Sequence, residues 1–127
     1  MAIIRKYTNT DVEGVMKIIE LEGEEWHDYS APENQDKFKK ALDNCIVYIA
    51  VIDGEIVGFS RSIKDNDLWI VVGDLLVTPK FRGQGIGKRL LDVIKDDYPN
   101  LETYVMSDND VYYSKQELER VGSIFMV

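Results

Sequence analysis

The stretch from Leu75 to Leu91 contains the residues with the clearest chemical capability in the chain. Its sequence is LLVTPKFRGQGIGKRLL, in which a branched apolar run ends at Pro79, a glycine-spaced loop follows and an amphipathic pattern begins at Ile86. This pattern predicts a strand, a loop and a helix in that order. The first N–H groups of a helix have no partner inside it, and the helix dipole adds partial positive charge there. We therefore expect an anion-binding site.

The composition of the loop indicates which anion it binds. Gly83, Gly85 and Gly87 remove side chains where a phosphate must approach the backbone. The basic residues around them, with no acid in between, are Lys80, Arg82, Lys88 and Arg89. We expect a pyrophosphate. The alternative is a tight turn with a solvated basic face, which the order of strand, proline, arginine and glycines makes the less favoured interpretation.

Spacing separates three kinds of nucleotide-binding loop. A P-loop requires glycine five residues before the last glycine, but Arg82 stands there relative to Gly87. A dinucleotide fingerprint requires G-x-G-x-x-G in the first βα unit, whereas this loop is G-x-G-x-G and lies deep in the chain. The third pattern, [RQ]-x-x-G-x-[GA] after V-x-P, is matched by Arg82, Gly85 and Gly87, preceded by Val77 and Pro79.

This third pattern resembles the acetyl-CoA site of the GCN5-related N-acetyltransferases (GNAT family). The resemblance implies acetyl-CoA as co-substrate, bound by the loop and by backbone groups left free where adjacent strands separate. The implied cofactor-binding residues are Leu76, Val77, Arg82, Gly83, Gln84, Gly85, Ile86, Gly87 and Lys88. The implied function is transfer of an acetyl group to a primary amine by direct attack in a ternary complex. The alternative is a non-catalytic acyl-CoA sensor or regulatory partner with the same fold.

A second resemblance lies near the C-terminus. Residues 112–115, Tyr-Tyr-Ser-Lys, are similar to the first four positions of the family's F-Y-x-K-x-G-F segment, whereas Glu117 and Leu118 replace its Gly-Phe. The resemblance implies that Tyr113 is the general acid, because a phenol with a pKa near 10 can donate to a departing thiolate. A core tyrosine is the alternative. Tyr112, one residue away on a helix, is expected to point elsewhere and to pack.

Asp74 is the candidate general base. It lies on the strand that enters the loop, with apolar sequence neighbours, so a partly desolvated carboxylate is expected there. Asp74 could accept the amine proton directly or through water, or bind the cationic amine. Weaker candidates for the same roles are Glu24, Glu25 and Asp28.

An acidic segment indicates where the amine binds. Five acidic residues and no Lys or Arg occur between Glu20 and Asp28, which together with the anion-binding loop suggests a cationic substrate, although for the run taken alone a solvated helix face is the favoured explanation. Trp26 and Tyr29 could cover the amine, since aromatic faces attract cations, or they could be core edges. The predicted substrate-binding residues are Glu25, Trp26, Asp28 and Tyr29. The acceptor is a small-molecule or peptide amine.

Composition sets further bounds. The 127 residues predict one domain, 1–127, and a formal net charge of -8 argues against a nucleic-acid partner. No apolar run approaches the roughly 20 residues that span a bilayer, so we expect no membrane segment and a cytoplasmic protein. With a single Cys45 and a single His27 we expect no internal disulfide and no metal site. Monomer and homodimer both stay open.

Periodicity, read along the chain, predicts the element order β-α-α-β-β-β-α-β-α-β. The resemblance implies the same order, and with it a single-domain GNAT-like α/β (α+β) fold. Its mixed sheet is mostly antiparallel, with a parallel pair after the cofactor loop, because a helix separates those two strands. The predicted strands are 3–7, 46–52, 55–64, 68–77, 101–106 and 123–127. The predicted helices are 12–22, 34–43, 86–97 and 111–121.

Overall fold

The computed structural model describes residues 1–127 and arranges them around one five-stranded sheet. The strands are β1 (Ile3–Lys6), β2 (Ile46–Ile52), β3 (Glu55–Asp65), β4 (Trp69–Val77) and β5 (Glu102–Val105). The helices are α1 (Val12–Glu22), α2 (His27–Ser30), α3 (Gln35–Asn44), α4 (Ile86–Asp97) and α5 (Asp110–Lys115). The strands lie in chain order, antiparallel except for the parallel β4–β5 pair. The mixed sheet predicted from the sequence is confirmed. None of the helices is long and apolar enough to span a bilayer.

The sheet is covered on both faces. Alternate residues of a strand point to opposite sides, so Val47 and Ile49 pack in the core beneath α1 and α3, whereas Tyr48 and Ala50 pack in the core beneath α4. The apolar stripe predicted on α4 is buried at Ile86, Leu90 and Ile94. Burial of this stripe fixes the beginning of α4, and with it the preceding loop, against the sheet.

Strand β4 changes the face to which its side chains point. Ile70 and Val72 pack with the α4 core, whereas Leu76 packs with the core of α1 and α3. Unbroken alternation would put all three on one face. Gly73 has no partner residue in β3, and this β-bulge turns Asp74 and Leu76 toward α1 and α3.

Strand β5 covers only the first part of β4. Residues 69–72 pair with 102–105, and the Met106 N–H donates a hydrogen bond to the Val72 carbonyl oxygen at 2.9 Å. Residues 73–77 have no partner in β5. The sheet is therefore open on this side of β4, at the end that leads into the glycine-rich loop.

The C-terminal prediction is partly wrong. The last helix ends at Lys115 rather than at residue 121, and the final strand predicted at 123–127 is not formed. Ile124 and Phe125 stay exposed. An apolar run meets the sequence requirement for a strand, but a strand also needs a neighbouring backbone with which to pair, and none lies beside these residues.

Helix α5 ends in a Schellman motif. The Leu118 N–H donates to the Tyr113 carbonyl oxygen at 3.2 Å, and the Glu117 N–H donates to the Ser114 carbonyl oxygen at 3.0 Å. Glu117 has φ 64°, the left-handed conformation that glycine adopts most easily. Glu117 stands where the resembling segment has glycine, so the turn has the shape that glycine would give, at a steric cost of about 1 kcal/mol.

We expect Glu117→Gly to raise the free energy of unfolding by about 0.5–1 kcal/mol, because glycine reaches positive φ without the clash of a Cβ atom. Urea unfolding followed by circular dichroism measures the change. Glu119→Gly is the control, since Glu119 lacks positive φ and its substitution only adds chain entropy. Equal effects of both substitutions would contradict the assignment of strain to Glu117.

Candidate functional site

The loop before α4 presents a row of unused hydrogen-bond donors. The first helical hydrogen bond runs from the Arg89 N–H to the Gly85 carbonyl oxygen, and no side chain caps the helix. The backbone N–H groups of residues 83–88 donate to no acceptor in the protein. Gly83 and Gly85 have φ 78° and 80°, and a Cβ atom at either would meet nothing within 4 Å. The loop is therefore open, positively polarised and accessible to an anion.

The other predicted loop residues are placed around this row. Ile86 turns its side chain into the core, so only its N–H faces the loop. Gln84 is exposed. Lys88 lies on the first turn of α4 and pairs with Asp92 at 2.7 Å, both half exposed. Such surface pairs are weak, so the pair with Asp92 leaves the Lys88 ammonium largely free.

Arg82 joins the loop to the end of β4 and to α1. Its Nε donates to the Val77 carbonyl oxygen at 2.8 Å, and its Nη2 donates to a carboxylate oxygen of Glu22. Leu76, the residue before Val77, is buried in the core. The resemblance implies that backbone groups of Val77 are free for a ligand, and its carbonyl oxygen already accepts one hydrogen bond from the arginine five residues later.

Helix α5 contacts the same loop. The Tyr112 hydroxyl lies so close to Gly87 that a Cβ atom added there would collide with it. The expectation that Tyr112 points away from the site is wrong. Tyr113 is half buried, its ring lies 5.1 Å from that of Tyr112, and its hydroxyl has no hydrogen-bond partner in the protein.

The environment of Tyr113 keeps its phenol protonated. Burial disfavours the phenolate, and the neighbouring Tyr112 and Asp108 add to the effect, so the pKa of Tyr113 is raised to about 12. A neutral hydroxyl without a partner is a hydrogen-bond donor that a ligand can use.

Asp74 lies in a polar environment rather than among the apolar neighbours expected from the sequence. One carboxylate oxygen accepts from Arg61 Nε, and the other accepts from the Tyr29 hydroxyl at 2.9 Å. The side chains of Arg61 and Asp74 are 14% and 5% exposed, so the ion pair is buried. Both oxygens of Asp74 are therefore engaged, and through Tyr29 they attach α2 to the sheet.

The segment before α3 was predicted to bind the amine. Trp26 and Tyr29 lie at the edge of the core, where the Tyr29 ring stacks on the Phe38 ring with their centroids 4.2 Å apart. Glu25 and Asp28 are exposed. A cavity of about 280 Å³ opens between α2 and α3, lined by Asp28, Tyr29, Asn34, Lys37, Phe38, Ala41 and Arg61. The structure brings two of the four predicted residues to this cavity.

Three contributors were missed at the sequence level: Glu22, Arg61 and Tyr112. Glu22 lies three residues after Ile19, on the apolar face of α1. A carboxylate at such a position is a sequence signal of a buried charged group. Arg61, between Ser60 and Ser62, is likewise the one charged residue in the middle of β3, from residue 56 to residue 63. For Tyr112 no local signal exists, because its contact with Gly87 depends on how α5 packs.

Comparison with known proteins identifies the family. A family model described as "Acetyltransferase (GNAT) family" matches residues 12–113. Two curated relatives, each named uncharacterized N-acetyltransferase ycf52, come from Pyropia yezoensis (35% identical over 57 residues) and Gracilaria tenuistipitata var. liui (30% over 77 residues). The matches cover 41% and 55% of this chain and 33% and 42% of those proteins, so the chain spans less than half the length of either relative.

Solved structures share the fold. A GNAT family acetyltransferase from Streptococcus pneumoniae TIGR4 superposes with a TM-score of 0.78 at 21% identity, covering 100% of this chain and 98% of that one. AAC(6')-Iy, in complex with the bisubstrate analog CoA-S-monomethyl-acetylneamine, superposes with a TM-score of 0.76 at 16% identity, covering 100% of this chain and 97% of that one. The identities support likeness of fold alone, and the family model covers most of the sequence. The chain belongs to the GNAT family of acetyltransferases.

Proposed function

We propose that the protein is an acetyl-CoA-dependent N-acetyltransferase acting on a primary amine. The observation on which this rests is the row of six free backbone N–H groups, 83–88, directly after an open strand end. Such a row suits the pyrophosphate of a CoA ester. Family membership supports the reaction, since acetyl transfer from acetyl-CoA is what the family resemblance implies.

The residues present fit acetyl-CoA. The N–H groups of the loop would hold the pyrophosphate, with the charges of Arg82 and Lys88 beside it, and Leu76 and Val77 would border the pantetheine arm where β4 runs beyond β5. Of the two backbone groups of Val77, the N–H is the one left for this arm, because Arg82 occupies the carbonyl oxygen.

The chemistry needs a proton donor and a bound amine. Acetyl-CoA supplies, when bound, a thioester whose carbonyl carbon forms a bond to the amine nitrogen as its bond to sulfur breaks. Tyr113 is the proposed donor to the departing sulfur, because its hydroxyl is protonated and has no partner in the protein. The lip formed by residues 23–32 borders the amine, with exposed acidic side chains at Glu25 and Asp28.

Asp74 has a positioning role in this proposal. Its two oxygens hold Arg61 and Tyr29, so it secures the lip on the sheet rather than facing an amine with a free oxygen. Glu24 is exposed and has no partner that would orient it, which makes it a poor base.

Substitution of Gly85 tests the cofactor site. We expect Gly85→Glu to weaken acetyl-CoA binding at least about 30-fold, because a carboxylate would face the phosphates at short range. Calorimetric titration with acetyl-CoA measures the affinity. Gly85→Ala carries the same backbone strain without the charge and should bind much more tightly than Gly85→Glu. Equal affinity of Gly85→Glu and the wild type would show that the loop does not bind phosphate.

Substitution of Tyr113 tests the enzyme against the non-catalytic sensor. We expect Tyr113→Phe to lower kcat about 100-fold or more with unchanged acetyl-CoA affinity. A panel of spermidine, kanamycin A and a peptide with a free N-terminal alanine serves as acceptors, and thiol release measures turnover. Tyr104→Phe, on β5, is the control.

The pH profile gives a further test of Tyr113. Because the pKa of Tyr113 is raised to about 12, the donor stays protonated up to about pH 11. A Tyr113-dependent fall in kcat as the pH rises toward 10 would contradict its role as proton donor.

Substitution of Asp74 separates positioning from base catalysis. We expect Asp74→Asn to lower the free energy of unfolding by about 3 kcal/mol, because the buried Arg61 loses its counter-charge. Asp67→Asn is the matched control, since the Lys64–Asp67 pair is exposed and should contribute less than about 1 kcal/mol. Urea unfolding compares the two. Full stability of Asp74→Asn together with lost turnover would support Asp74 as the base instead.

A further inference from the structure

Glu22 is the buried carboxylate that lies next to the open end of β4. It is the last residue of α1, and its side chain is 9% exposed. Arg82 donates to it through Nη2 and to the Val77 carbonyl oxygen through Nε. Nε and Nη2 lie on one edge of the planar guanidinium group, so their two acceptors are neighbours in space. Glu22 therefore stands beside the strand end that would border the thioester.

The two oxygens of Glu22 differ in their surroundings. Oε1 accepts from Arg82, whereas Oε2 accepts no hydrogen bond from the protein and is not among the fully enclosed polar atoms without a partner. A carboxylate has about four acceptor sites, and a buried one is stable only when they are satisfied. Oε2 thus keeps some contact with solvent, and the bond that Arg82 makes to Oε1 orients the carboxylate.

Asp74, the carboxylate predicted to face the amine, contrasts with Glu22. Both oxygens of Asp74 are occupied, by Arg61 and by Tyr29, whereas Glu22 keeps one oxygen free. A charge-assisted bond from an ammonium group is the interaction that such an oriented, largely desolvated oxygen favours. The positively charged Arg82 does not compete for Oε2, because its Nη2 donates to Oε1.

We infer that Glu22 binds the acceptor amine through Oε2 as an ammonium ion and thereby selects acceptors that carry a positive charge; the bound ammonium gives one proton to solvent water before its nitrogen, now neutral, attacks the thioester. The inference rests on the proposed function, since it places the amine beside the thioester that would be bound at Val77. Arg82 orients the carboxylate, so the residue that neighbours the phosphates also positions the group that receives the amine.

Glu22→Gln is the decisive variant. Glutamine keeps an oxygen to accept from Arg82 but presents an NH₂ group in place of Oε2, and that group cannot accept an N–H from the amine. We expect KM for the amine to rise at least about tenfold, and kcat/KM to fall by as much, while the acetyl-CoA dissociation constant changes less than about threefold. The acceptor is the best member of the spermidine, kanamycin A and alanyl-peptide panel.

Binding without turnover gives an independent measurement. Calorimetric titration of that amine into the protein saturated with CoA should give an affinity at least about tenfold weaker for Glu22→Gln than for the wild type. Glu20→Gln, an exposed glutamate on the same helix, is the matched control and should behave as the wild type. Unfolding midpoints of both variants show that each is folded.

Three outcomes would overturn the inference. An unchanged KM and kcat/KM in Glu22→Gln would mean that Glu22 does not contact the amine. A loss of acetyl-CoA affinity with unchanged amine KM would mean that Glu22 serves only Arg82. If the wild type bound neither the amine nor acetyl-CoA, the proposed function itself would be wrong. That failure is distinguishable, because it is seen before any variant is compared.

Discussion

The path of strand β4 is the constraint that places the lip, the open sheet edge and the glycine-rich loop relative to one another. Its bulge at Gly73 turns Asp74 toward α2, where Arg61 and Tyr29 close a buried polar cluster. Its last residues run beyond β5, which leaves an open edge, and its final carbonyl oxygen, at Val77, is held by the loop arginine. One strand therefore aligns the lip, the opening and the anion-binding loop, so a change in its register would separate all three.

Much of the fold follows from local signals. The helix at 86–97 has the bounds that periodicity predicts, because Gly85 must adopt positive φ before it and an apolar stripe runs along it. The hairpin between β2 and β3 follows from Asp53-Gly54, which suits a tight turn. The loop itself is also predictable, since glycine spacing and helix-start chemistry are properties of a short stretch of sequence.

The parts that were missed depend on contacts between distant residues. If the β3–β4 register continued unbroken from the Asp65–Trp69 pair, Arg61 would lie opposite Gly73. The bulge shifts the register by one residue and places Arg61 opposite Asp74. Nothing in the residues around Asp74 reveals that shift, so its ion pair could not be predicted. The final strand fails for the related reason that pairing is a property of two segments, and the sequence pattern describes only one.

The charge distribution explains how a chain of net charge -8 can offer an anion site. Exposed charges more than about 8–10 Å apart are largely screened at physiological salt, so the acidic surface acts weakly on the loop, whereas the free N–H groups act at hydrogen-bonding distance. Glu22 is too close to be screened, but Arg82 neutralises it. A buried carboxylate can therefore stand near the free N–H groups without cancelling their attraction for an anion, and the pairing of each charge with its neighbour, rather than the total charge, decides which ions are attracted.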